Sequence, residues 1–157
     1  MFLRTLAIAV LAAVCAGNAS GSGSATVTLN ATVVPVCKFF TGAPVLNVRN
    51  TGTSGSSINP SLTTTATGSV GITYRCTRGV SPSFTVPATA TVTCAACPGA
   101  PTMATTISAT NNGAGRGFQP GGGRNRTLTV TGQISPAVFQ NARAGAYSGT
   151  MTISVTP

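Results

Sequence analysis

The sequence predicts an all-β fold, a sandwich built from short strands. Apolar and polar residues alternate at period two in several separate runs. Thr and Val dominate those runs, and Gly, Pro, Asn and Ser punctuate them at short intervals. No segment holds helical periodicity over ten residues with caps at its ends.

The first run is "SATVTLNATVVPVC", Ser24–Cys37, after a Gly/Ser linker at Gly21–Ser24. Ala25, Val27, Leu29, Ala31 and Val33 fall on one side and Thr26, Thr28, Asn30 and Thr32 on the other, the pattern of a half-buried strand. "PVLNVR" (Pro44–Arg49) is a second short strand, and Asn50–Pro60 is a loop rich in turn formers. Ala66–Cys76 puts Val70, Ile72, Tyr74 and Cys76 on one face. "PSFTV" (Pro82–Val86) and "ATVTC" (Ala90–Cys94) follow, broken by Pro87. Thr102–Ser108 is another strand, and Asn111–Asn125 is too rich in Gly for a packed element. Arg126–Ile134 alternates with Leu128, Val130 and Ile134 on one side. Ser135–Gly145 has room for one helical turn, and the closing run places Tyr147, Met151, Ile153 and Val155 on a common face.

The first 19 residues read as a secretory signal peptide. Arg4 precedes an apolar run from Leu6 to Val14, with cleavage expected near Ala16 or Ala19. The run is shorter than the roughly 20 residues a spanning helix needs. Val14 precedes Cys15 where a lipid-anchor motif would want a small residue. The mature protein is therefore expected to be exported.

The chain of 157 residues contains no Asp, no Glu and no His, and its net charge is +9. Without the leader the basic side chains are Lys38, Arg49, Arg75, Arg78, Arg116, Arg124, Arg126 and Arg143. Side-chain ion pairs cannot form, so stability must come from apolar burial, backbone hydrogen bonds and disulfides. Paired carboxylates, Ser-His-Asp triads, Cys-His pairs and carboxylate metal sites all need absent residue types, so no catalytic residue, metal or cofactor is expected. The arginines supply solubility to a surface of Thr, Ser, Asn and Gly, or they meet an anionic surface polysaccharide, with Arg116, Arg124 and Arg126 as candidate contacts. Nucleic acid is not expected: the arginines are scattered, Trp is absent and the chain is exported. "GAGRGFQPGGGR" has a single arginine-glycine unit and no Gly-Lys-Ser/Thr ending, so it reads as a long loop.

Four cysteines follow the leader, Cys37, Cys76, Cys94 and Cys97, an even count that in an exported chain reads as two disulfides with three connectivities open. "CAAC" also invites redox and zinc readings. Pro98, Gly99 and Pro101 forbid the helix that activates a thioredoxin-type cysteine, and a zinc site would consume all four cysteines. Structural disulfides are the expectation.

Three stretches together resemble the spore coat protein U domain family, which includes the pilin subunits of archaic chaperone–usher pili. They are "VTLNATVVPVC" (Val27–Cys37), "ATGSVGITYRCTRG" (Ala66–Gly79) and "TVTGQISPAVFQNARAGAYSGTMTISVTP" (Thr129–Pro157). The resemblance implies an immunoglobulin-like, pilin-type sandwich that is incomplete and is completed by a donor strand from a neighbouring subunit. It pairs Cys37 with Cys76, a loop of about 40 residues whose closure is worth roughly 4 kcal/mol. It makes Ala25, Val27, Leu29, Ala31 and Val33 the donor strand, and Tyr147, Met151, Ile153 and Val155 the edge of the acceptor groove. The implied partners are copies of the chain or related pilin subunits, a periplasmic chaperone and an outer-membrane usher. Residues 1–19 are then the leader, 20–36 the linker and donor segment, and 37–157 the sandwich domain.

Burying the donor's apolar face would contribute on the order of 5–10 kcal/mol. Head-to-tail insertion is a heterologous contact, so it propagates into a filament. The expected function is thus a structural subunit of a surface pilus supporting adhesion or biofilm formation, passing through the periplasm to the cell surface. The alternative is a self-complemented spore-coat or envelope protein that binds anionic glycans through its arginines.

Overall fold

A computed structural model describes Ser24 and residues 26–52, 55–119 and 122–157. The expected leader (1–19), most of the linker and Ala25 lie outside the described residues. The chain divides into two units, one ending at Thr32 and one running from Val33 to Pro157.

The fold of the second unit is all-β. Its strands are β1 (Cys37–Phe39), β2 (Ala66–Cys76), β3 (Ser83–Thr85), β4 (Thr89–Thr93), β5 (Thr102–Asn111), β6 (Arg126–Ile134) and β7 (Ser154–Thr156). One antiparallel sheet has the order β1-β2-β6-β5-β4, and β3 and β7 form a separate antiparallel ribbon. Pro87 sits where the chain leaves the ribbon at β3 and enters the larger sheet at β4. It has no N–H to give a ladder, so the break falls where the sequence places it.

β2, β6 and β5 form the centre of the sheet, in a register that aligns their apolar faces. Val70 lies opposite Val130 and Ile72 opposite Leu128; Ala109 meets Val130 from the other side. Ile72, Tyr74, Cys76, Leu128, Val130 and Ile107 form one buried cluster, and Ala66, Met103, Ile134 and Phe139 form a second. Each large apolar side chain so buried contributes about 1.5–3 kcal/mol. Thr105 is the polar member of this face; its Oγ1 has no hydrogen-bond partner among the described residues. The ribbon is fixed to the first cluster by Phe84, whose ring meets Tyr74 edge-on at 5.0 Å and Phe39 at 6.2 Å.

The bounds of β2 and β6 are those the alternation predicts, and β5 runs three residues beyond Ser108 to Asn111. The helical turn expected after Ser135 is α1 (Pro136–Phe139), with Pro136 in its first turn and Phe139 buried. Four expected strands are shorter or absent, and Pro82–Val86 is one of them, reduced to β3. Thr26–Val36 belongs to no strand, because a strand exists only as part of a ladder. Pro44–Arg49 contributes a single bridge, Arg49 to Thr67. The closing run forms a strand only at Ser154–Thr156.

Pro44–Arg49 meets the edge of β2 only at Arg49, which bonds Thr67 in both directions, and Leu46–Val48 ahead of it lies over the inner face of the sheet instead. Gly68 of β2 and Gly132 of β6 are directly paired there. A Cβ on Gly68 would overlap the Asn47 carbonyl, and one on Gly132 would lie 2.9 Å from Leu46 Cδ2. Leu46 and Val48 then pack on the two apolar clusters without making a ladder.

Candidate assembly site

The apolar side of the N-terminal segment is solvent-exposed. Every residue from Thr26 to Pro35 is exposed, with Val27 at 75%, Leu29 at 90% and Val33 at 79%. An alternating segment with four such positions, Ala31 included, has the pattern of a strand and lacks the ladder of one.

The segment is anchored where it enters β1. Cys37 and Cys76 are directly opposed in the β1–β2 register and form a disulfide with Cα atoms 4.1 Å apart. Backbone bonds flank the crosslink: Thr77 N–H donates to Val36 O at 2.9 Å, and Val36 N–H donates to Thr77 Oγ1 at 3.0 Å. This pairing is the one the resemblance implies. Cys94 and Cys97 form the second disulfide. Their sulfurs close against Gly145; a Cβ there would lie 2.6 Å from Cys94 Sγ and closer still to Cys97 Sγ.

An open groove of about 470 Å³ lies between the ribbon and the sheet, with Phe84, Val86, Ala88, Ile107, Ala109 and Leu128 among its lining residues. None of Tyr147, Met151, Ile153 and Val155 lines it. These four are half-buried and their neighbours exposed, as the alternation predicts. Met151 and Ile153 pack on the first cluster, Tyr147 on the second, and Val155 pairs with Phe84 at the groove wall. The closing run is divided between two partners: Ser148 bridges to Thr93 of β4, and Ser154–Thr156 pairs with β3. Sequence alternation finds which side chains point inward but not that division, which also sets the groove wall.

The three arginines named from sequence do not act alike. Arg124 Nη1 donates to Arg116 O at 2.7 Å, and Arg116 Nη1 donates to Gly123 O at 3.2 Å, so these two close the long loop on itself. Arg126 Nε donates to Ala114 O at 2.9 Å. Arg126 lies opposite Tyr74, whose hydroxyl donates to Gly113 O at 2.6 Å. Burial raises the Tyr74 phenol above its ordinary value of 10.0, and the charge of Arg126 opposes that rise.

Among the described residues no helix is long and apolar enough to cross a membrane, and no group of three or more His, Cys, Asp or Glu could hold a metal ion. No family model, no curated protein and no solved structure matches the chain.

Proposed function

We propose that this chain is an exported structural subunit of a surface filament, an incomplete immunoglobulin-like sandwich of the spore coat protein U kind. It polymerises by adding residues 25–33 as a strand to the next copy. The observation that carries this reading is the exposed, unladdered alternation of Val27, Leu29, Ala31 and Val33 immediately ahead of a covalent anchor at Cys37. Such a segment gains main-chain hydrogen bonds and apolar burial only from an acceptor.

The groove beside Phe84, Val86 and Ile107 is the acceptor in this reading, its wall held by the Phe84–Val155 pair. A periplasmic chaperone covers the groove until a donor arrives, and an usher orders the additions. The role is structural rather than catalytic, and the surface filament serves adhesion or biofilm formation.

Leu29→Arg tests the proposal. The variant monomer is expected to melt with the native protein, while filaments seen by electron microscopy are lost. Undiminished filaments, or a native chain that stays a stable monomer when purified without a chaperone, would overturn it.

A further inference from the structure

Lys38 and Arg75 are directly opposite each other in the β1–β2 pairing. Their neighbours Phe39, Tyr74 and Cys76 pack inward, which places both cations on the outer face of the sheet. Like charges in cross-strand positions destabilise a sheet, and the chain has no carboxylate side chain to relieve them. An anion supplied from outside would relieve the repulsion.

The surroundings are organised to receive one. The Arg75 guanidinium lies 4.8 Å from the centroid of the Phe40 ring, and Arg75 Nε donates to Asn125 Oδ1 at 2.7 Å. Among the described residues Arg75 makes no other side-chain hydrogen bond, so both Nη groups are left for a ligand. Phe118 sits 6.3 Å from Phe40, and both rings are exposed, Phe40 at 52% and Phe118 at 37%. Arg124, next to Asn125, donates to Arg116 O and Gln119 Oε1, which fixes the loop that carries Phe118. Lys38, Phe40, Arg75 and Phe118 thus make one patch of cations and aromatic rings, with Arg124 and Arg116 at its border.

We propose that this patch binds an acidic polysaccharide, its cations pairing with carboxylate or sulfate groups and its phenyl rings contacting the C–H faces of sugar rings. Two disulfides suit an oxidising compartment outside the cytoplasm, where sugar polymers are the abundant polyanions. Arg75 covers one face of Phe40, which leaves the other face of Phe40 and the Phe118 ring for the sugar contacts. The donor segment and the groove take no part, so this inference stands apart from filament formation.

The test is a binding measurement on the purified chain with alginate, dextran sulfate, neutral dextran and a single-stranded oligonucleotide, at 50 and 300 mM salt. Alginate and dextran sulfate distinguish carboxylate from sulfate as the preferred group. Both are expected to bind in a salt-sensitive way and neutral dextran not to bind. Lys38→Gln/Arg75→Gln, which removes the like-charge pair, is expected to melt no lower than the native chain and to bind about tenfold or more weakly. Phe118→Ala, a second variant on the loop, should also weaken binding. Absence of binding, equal binding by the folded double variant, or a preference for the oligonucleotide would overturn the proposal. Leu29→Asn, which spoils the donor segment without adding a cation, should leave binding unchanged, so a failure here is separable from a failure of the filament reading.

Discussion

Gly68 and Gly132 face each other across β2 and β6, and the chain at Leu46–Val48 crosses the sheet over them. The two hydrogen side chains form a notch in an otherwise apolar inner face. What each glycine meets is different: Gly68 meets the Asn47 backbone, and Gly132 meets the end of the Leu46 side chain.

That difference predicts unequal costs. Gly68→Ala forces backbone to move and should lower stability by about 2–3 kcal/mol, whereas Gly132→Ala meets only side chains, chiefly the end of Leu46 and then Val48, and should cost about 1 kcal/mol. Urea unfolding of the two variants gives the comparison. Equal losses would show that the crossing segment yields as one body.

The two disulfides should also contribute unequally. Cys37–Cys76 spans 39 residues and Cys94–Cys97 spans 3. By loop-closure entropy, replacing the first pair with serine should cost about 4 kcal/mol and replacing the second about half as much. Guanidinium denaturation of each double variant measures both, and the same preparations report whether filaments still form without the anchor.

Tyr74 predicts an alkaline limit. Its folded phenol titrates above 10.0 because burial penalises the anion, while in the unfolded chain it ionises near its ordinary value. The folded state therefore holds the proton more tightly, and this contribution is complete below pH 10.0 and declines as pH rises through the folded value. Tyr74→Phe should lose about 1 kcal/mol at pH 7 with the bond to Gly113 O, yet show a shallower decline above pH 10.0. Chemical unfolding at pH 7, 10 and 11 tests the difference between the two slopes.

The inward faces of β2 and β6 were legible because both strands have neighbours on both sides, so alternation and ladder coincide. For Pro44–Arg49 the sequence predicts only a short strand; Leu46 and Val48 do pack inward, but the ladder is missing because the segment lies over the glycine notch. In the closing run the alternation is correct for Met151, Ile153 and Val155, while the chain changes partner between Ser148 and Ser154. Periodicity records which side chains meet apolar surroundings; it carries no information on whether a partner strand is present. The Lys38–Arg75 pair needed one further step, since an antiparallel Cys37–Cys76 register sets the next residue of one strand against the preceding residue of the other.

The Cys37–Cys76 crosslink has a mechanical consequence. β1 is three residues long, and its few hydrogen bonds to β2 would part readily under tension. A pull on the N-terminal segment instead reaches Cys76 through a covalent bond, and Cys76 ends the longest strand of the sheet. Tensile load entering at residue 36 is thereby shared across β2 and its nine-residue pairing with β6, and β1 cannot be peeled away while the sulfur bridge is intact.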